Sequence, residues 1–423
     1  MSNRINLKAF AAALAVGLSL AAIGTASAQE AVNLRMTIWS ANEAHLKLFN
    51  DMAAGFKQSH PNVTVTYESL PFDTYTTALT TQIAGGNAPD MAWIFETTAY
   101  DFVNSGALYP LGDKLNAIQG YNLAEVSPGA TERWSKGGTL YAYPFSTSPF
   151  AVFANNDLIR KAGAKTPDEL IKAGEWTWDK AIETASTVGR TGKGGLIIRD
   201  FNYQNWQNLA AIWNGFGASP WSEDGKNCTI GDKPMTDALS FIHDAIFKNK
   251  AMPGPGENVD FFAGNAAMTI TQISRASLLP KQNGFEWDLV PLPKGPAGEY
   301  ALIGQAGIGV MQSSPHADVA AEFVGYMTNP ENSAKLAQFF PSARKSLLNA
   351  ETLKKTNPLL SQEQLEKVVI AGISNGKVIP GHTGFAQIQQ MVRAGLDAVW
   401  TPNADIANAT QKICGQISPL LKR

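Results

Sequence analysis

Two hydrophobic periods take turns along this chain, one of two residues and one near four, and that alternation restricts it to a sheet with helices on its faces. Leu34, Met36 and Ile38 alternate as a strand does, and Leu46, Phe49, Ala53 and Phe56 then repeat at helical spacing. Val63, Val65 and Tyr67 alternate again after the breaker Pro61. Tyr75, Leu79 and Ile83 form a second helical stripe ended by Gly85-Gly86, and Met91 to Phe95 is a short apolar run. The order is β-α-β-α-β, an α/β grammar. Such sheets bind ligands in loops at the carboxyl ends of their strands, which here are Trp39 to Glu43 and Trp93 to Thr97.

The middle of the chain repeats the pattern. Trp176-Thr177-Trp178-Asp179 opens a helix carrying Ile182, Ala185 and Val188, with Thr177 as its N-cap. Leu196-Ile197-Ile198 reads as a buried strand, and Leu209, Ile212, Trp213 and Phe216 as a helical stripe. A helix through Met235, Leu239, Ile242 and Ile246 follows a turn at Asp224-Gly225. Strands are expected at Ala267 to Ile270 and Trp287 to Leu292, then a helix from Val319 to Met327 that Asn329-Pro330 interrupts. With no low-complexity linker between the halves, strands rather than a loose tether should cross any domain boundary.

Length and charge narrow the class. At 423 residues the chain exceeds a single core of about 150 residues. Arg4 and Lys8, the uncharged run Ala9 to Ile23 and the small residues Ala26-Ser27-Ala28 form the pattern of a cleaved export signal, residues 1–28, too short in its apolar part for a membrane anchor. No Cys follows Ala28 to carry a lipid. The mature chain then holds 32 cationic against 36 acidic side chains, no excess that would grip nucleic acid. Cys228 and Cys414 both lie in the exported part, where they either form a disulfide or serve as two small buried hydrophobes. The five histidines show no zinc-protease spacing, and no nucleophile elbow or phosphate loop is present. The glycines of Gly304-Gln305-Ala306-Gly307-Ile308-Gly309 do not fit G-x-G-x-x-G.

Several segments carry a family resemblance in order along the chain: Ile38-Trp39-Ser40; His60-Pro61-Asn62-Val63-Thr64-Val65; Gly85-Gly86-Asn87-Ala88-Pro89-Asp90; and Ser105-Gly106-Ala107-Leu108-Tyr109-Pro110-Leu111. Tyr141-Ala142-Tyr143-Pro144 leading to Phe153-Ala154-Asn155-Asn156-Asp157-Leu158, then Trp176-Thr177-Trp178-Asp179 and Gly264-Asn265-Ala266-Ala267-Met268, continue it. The chain resembles the extracellular solute-binding proteins of carbohydrate ABC importers, the family that contains maltose-binding protein. The resemblance implies a periplasmic-binding-protein fold: two α/β lobes, each a sheet flanked by helices, joined by crossing strands. Lobe 1 would take residues 29–146 and 304–346, and lobe 2 residues 147–303 and 347–423. It implies a non-enzymatic periplasmic monomer that binds no nucleic acid and no cofactor. It would close on a mono- or oligosaccharide, neutral, acidic or phosphorylated, and deliver it to membrane permease subunits.

A sugar presents apolar faces to an aromatic ring and an equator of hydroxyls to polar side chains. The expected ligand residues in lobe 1 are Trp39, Asn42, Glu43, Trp93, Phe95, Glu96, Ser146 and Ser148. In lobe 2 they are Asn202, Tyr203 and Trp206 after the buried strand, Trp213 and Asn214 in a Trp-Asn-Gly run, and Gln272 and Arg275. Gln305, His382 and Phe385 follow by family position. Relatives often place a stacking Trp where this chain has Gln272, Ser274 and Arg275; an Arg offers forked donors suited to carboxylate or phosphate. Trp134, Trp176, Trp178, Trp221, Trp287 and Trp400 are expected to pack in cores. The alternative reading is an exported glycoside hydrolase working through a carboxylate pair.

Overall fold

A computed structural model describes residues 30–279 and 284–422. The export signal expected at 1–28 lies outside the described residues. The strands in chain order are β1 (Val32–Ile38), β2 (Val63–Ser69), β3 (Met91–Phe95), the small hairpin β4 (Ser135–Lys136) and β5 (Thr139–Leu140), and β6 (Ala142–Asn155). They continue as β7 (Gly194–Ile198), β8 (Ala266–Gln272), β9 (Trp287–Val290), β10 (Leu302–Val310) and β11 (Lys377–Val378). The main sheet runs β2-β1-β3-β10-β6-β8-β7, with β11 beside β10 and β9 beside β6.

The expected strand–helix order is present at both ends of this sheet, and the long strand between them is the addition. β6 pairs antiparallel with β10 through residues 142–149 and with β8 and β9 through residues 150–155, so one strand serves both halves of the sheet. Pro144 and Pro149 lack a ladder donor, which hides this 14-residue strand from propensity reasoning. Its register on β10 shifts at Ala306/Gly307, leaving Phe145 without an opposite residue. That bulge lets the neighbours Phe145 and Ser146 both face the cleft between the lobes, where strict alternation would allow one.

The cores follow the same division. One holds apolar residues from Val32 to Phe145 and from Ala306 to Ala343. The other lobe has a core on each side of its sheet: one gathers Phe150 to Leu302 with Ile379 to Leu421, and one places Phe153, Phe261 and Leu289 against Leu353, Leu365 and Val369. The chain is therefore a two-lobed α/β protein that crosses between lobes through β6, through β10 and again near Phe340. In the first lobe the helix Glu43–Ser59 buries His45, Phe49, Met52 and Phe56, a stripe rotated from the expected one so that polar His45 replaces Leu46 at its start.

The glycines of the 304–309 run are explained by close neighbours on β10. A Cβ at Gly307 would sit 2.6 Å from the Trp134 ring, and one at Gly309 2.8 Å from Leu108. Gly215 of the Trp-Asn-Gly run likewise leaves room for Tyr300 and the Trp178 indole. Trp176 and Trp178 are buried, their indole N–H groups donating to the Pro291 carbonyl and the Tyr300 hydroxyl at 2.9 Å each. Cys228 and Cys414 are bonded, their Cα atoms 5.4 Å apart, and the bond ties the turn after Trp221 to the helix Ile406–Leu421.

Candidate functional site

A cleft of about 740 Å³ lies between the lobes. Its walls are the segments that follow strand carboxyl ends: Trp39 to Asn42 after β1, Glu96 to Thr98 after β3, Arg199 and Asp200 after β7, and Ser274 and Arg275 after β8. The first-lobe wall is aromatic. Trp39 stacks on Phe95 with centroids 4.1 Å apart and planes at 16°, and meets Phe72, Tyr75 and Trp93 edge-on at 6.3, 5.1 and 4.8 Å. Rings locked by rings offer a rigid, amphipathic face at little entropic cost. Asn42 caps the helix at Glu43, its Oδ1 accepting from the Ala44 and His45 amides at 3.0 and 3.2 Å, so its amide nitrogen remains for the cleft.

The second-lobe wall is polar and charged. Arg199, Asp200, Asn205, Gln207 and Asn208 line it, and the helix Phe385–Leu396 adds Gln389, Gln390 and Arg393. The Asp200 carboxylate accepts from Arg275 Nη2 at 2.6 Å and lies 3.8 Å from Arg199 Nε. Two guanidiniums thus share one carboxylate, and Arg393 enters no salt bridge among the described residues. Asp200, Asn202 and Tyr203 hold φ values of 59°, 35° and 55°. Left-handed backbone at three non-glycine positions costs on the order of 1–3 kcal/mol each and occurs where surrounding structure fixes a working loop.

Several buried polar atoms of the lining have no protein partner: His45 Nε2, Trp93 Nε1, Ser148 Oγ, Arg199 Nε and Gln207 Oε1. Unpaired buried groups cost roughly 1–3 kcal/mol apiece. Burial raises the Glu96 carboxyl to about 7, against the lowering effect of its backbone hydrogen bond and of Arg133. Burial and then the Arg275 charge lower His45 to about 4, keeping it neutral, with Ser40 Oγ 2.8 Å from Nδ1. The lobes also touch directly. Arg275 lies over the Phe72 ring at 5.8 Å, the Gly384 amide donates to Asp101 at 2.7 Å, and Arg133 donates to the carbonyls of Glu96 and Ile379 at 3.1 Å.

Of the residues expected at the ligand, Trp39, Asn42, Trp93, Phe95, Glu96, Ser146, Ser148, Gln272, Arg275 and Gln305 line this cleft. Gln305 already spends its amide, accepting from the Trp134 indole at 2.9 Å and donating to the Ala130 carbonyl at 3.1 Å. Asn202 and Tyr203 line a smaller groove beside it. The others are displaced. Glu43 is exposed in the first helical turn, and Trp206, Trp213 and Phe385 are buried in the second-lobe core. Asn214, whose backbone carbonyl accepts from the Gly217 amide at 3.0 Å, does not line the cleft, and His382 is bonded to the Gly225 carbonyl at 3.0 Å. Arg199 and Asp200 were missed although they directly end β7, where the strand-end rule points. Ala386, Gln389, Gln390 and Arg393 were missed too, although their spacing marks one face of a helix whose opposite face buries Phe385, Ile388, Val392 and Leu396.

The family model for bacterial extracellular solute-binding protein matches residues 40–334. A putative binding protein of Brucella abortus is 25% identical over 352 residues, 78% of this chain and 80% of its own length. The sn-glycerol-3-phosphate-binding periplasmic protein UgpB of Escherichia coli is 24% identical, with 99% of this chain and 98% of its own covered. Among solved structures, the ABC substrate-binding protein of Listeria monocytogenes in complex with cycloalternan superposes with a TM-score of 0.81 at 21% identity, covering 93% of this chain and 99% of that one. This last likeness shows the shared fold.

Proposed function

The chain belongs to the bacterial extracellular solute-binding protein family, and from that premise we propose that it is the periplasmic, non-enzymatic, monomeric solute-capturing subunit of an ABC importer. Its ligand is a mono- or oligosaccharide, or a sugar or polyol bearing an acidic or phosphorylated group, which it hands to the membrane permease. The observation that carries this reading is the cleft: one wall of rigid rings, the other of amides and guanidiniums, with unpaired polar atoms on both lobes. Stacking and hydroxyl recognition need those two surfaces. A relative named for sn-glycerol-3-phosphate binding supports the phosphorylated end of that range.

The lobes are assigned to 29–146 with 304–346 and to 147–303 with 347–423. A ligand that touches both stabilises closed conformers over open ones, so capture and closure are one equilibrium. Trp39 and Phe95 supply the stacking face, with the buried Trp93 packed behind Trp39; Asn42, Glu96, Ser146, Ser148 and Gln272 address hydroxyls; Arg275 and Arg199 orient an acidic group. Hydrolysis is disfavoured by the commitment of Asp200 to two arginines, which removes one cleft carboxylate from acid–base work. The test is thermal stability against neutral, acidic and phosphorylated sugars and polyols, since a ligand of the folded state raises its melting temperature. No shift across the panel together with cleavage of glycan substrates would end the reading.

A further inference from the structure

Between β11 and the helix Phe385–Leu396, residues 379–384 run along the boundary of the lobes and meet the first lobe repeatedly. The Ile379 carbonyl accepts from Arg133 Nη1 at 3.1 Å, and the same nitrogen donates to the Glu96 carbonyl. Gly381 packs on the loop after β3, where a Cβ would lie 2.8 Å from the Glu96 carbonyl oxygen and 3.2 Å from Thr97 Cα. Gly381 is not in the left-handed region, so its missing side chain serves the approach of the lobes rather than its own backbone. The Gly384 amide donates to Asp101 Oδ1 at 2.7 Å.

These contacts stand at different distances from the crossing strands. Ile379 is fixed to one of them, its amide donating to the Ile303 carbonyl of β10 at 2.9 Å, so its bond with Arg133 lies at the pivot. Gly384 lies further along the chain, at most about 17 Å away if extended. Rotation of one lobe moves an atom in proportion to its distance from the axis, so the Gly384–Asp101 bond and the Gly381 contact part before the pivot does. Asp101, Gly381 and Gly384 do not line the cleft, yet each is tied to it. The loop under Gly381 carries Glu96, and Gly384 caps the helix that presents Gln389, Gln390 and Arg393. The Asp101 carboxylate faces the positive end of that helix, which strengthens its bond.

We infer that residues 379–384 form a strap, pinned at the hinge by Arg133 and clasped at its far end by Asp101, that stabilises the closed arrangement of the lobes through contacts of the protein's own. Asp101 and Gly381 are then positioning residues for solute capture. The inference rests on the cleft being the solute site. The apparent dissociation constant of a solute that binds the closed form is its intrinsic value divided by the closed fraction. Contacts outside the cleft that raise this fraction therefore strengthen the binding of every solute by one common factor.

Small-angle X-ray scattering of the solute-free mature chain, with calorimetric titration of maltose, glucuronate and glycerol 3-phosphate, tests this. Asp101→Ala removes the clasp. Gly381→Ala sets a methyl group where the lobes meet, on a backbone that alanine adopts without strain once they part. Both should enlarge the radius of gyration of the solute-free chain. Both should weaken every probe that binds by the same factor, about fivefold for Asp101→Ala and about tenfold for Gly381→Ala. Asp101→Asn keeps the acceptor and loses the charge, so it should weaken binding by about twofold. Unchanged scattering in both alanine variants, or a loss of affinity that differs from probe to probe, overturns the inference. If a probe binds and neither variant alters the scattering, the strap falls and solute capture stands. If no probe binds, the solute reading falls, and the scattering alone decides the strap.

Discussion

The first-lobe wall of the cleft is made of rings held by other rings, whereas the second-lobe wall is made of amides and guanidiniums, with Arg275 hydrogen-bonded to the Asp200 carboxylate and Arg199 beside it at ion-pair distance. The first tolerates any ligand with a flat apolar face, because stacking depends weakly on rotation about the ring normal. The second discriminates, because each forked donor has a direction and a charge. On the proposed function, breadth and selectivity fall on opposite sides of the cleft. The lobes differ in covalent support as well: the Cys228–Cys414 bond lies wholly within the second.

The largest effect should come from that difference. Replacing Cys228 and Cys414 together by Ser should cost about 2–5 kcal/mol of stability, and hydrogen exchange should quicken in the helix 406–421 while β1 keeps its protection. Equal loss of protection in both lobes would show that they unfold as one unit. Next in size, Trp39→Ala should weaken ligand binding by about 2–4 kcal/mol, as for a central aromatic contact, read by calorimetry. A change under about threefold would put the stacking surface elsewhere. Arg275→Lys retains the charge and loses the fork, so it should cost an acidic ligand about tenfold and a neutral one little. Equal losses for both would make Arg275 a structural support of Asp200.

The smallest effect is a pH dependence. Because burial raises Glu96 to about 7, the folded chain holds its proton more tightly than the unfolded chain. Its contribution to stability is therefore full below the ordinary carboxyl range, near 4.5, and is lost as pH rises to about 7. A ligand hydroxyl that donates to the carboxylate favours the ionised form, so affinity should rise as pH passes from 6 to 8, with proton release. Glu96→Gln should flatten both profiles. An unchanged profile in that variant would assign the titration to another group.

What the sequence disclosed of this site follows a simple division. Loops after strands were legible because a strand's end is marked by its hydrophobic run, and Trp39, Glu96 and Arg275 all fall just beyond such runs. Side chains on short helical turns were not, because one residue of rotation exchanges core for cleft. Trp206 is buried while its neighbours Gln207 and Asn208 face the ligand space, and Phe385 is buried while Ala386 faces it. The crossing strand was concealed by its two prolines. The cysteine pairing needed the distance between two segments far apart in sequence, which no local pattern encodes.

That pairing also sets a schedule. Cys228 must wait until a residue 186 positions later has been synthesised before its bond can close. The helix carrying Cys414 supplies Ile413 and Ile417 to the same core. Until that helix arrives, the core of the second lobe lacks one apolar flank and Cys228 lacks its partner, while the apolar core of the first lobe is supplied by residues up to Ala343. Order of emergence thus leaves the core of the second lobe the last to receive all its residues, and the Cys228–Cys414 bond joins the earlier part of that lobe to its last helix.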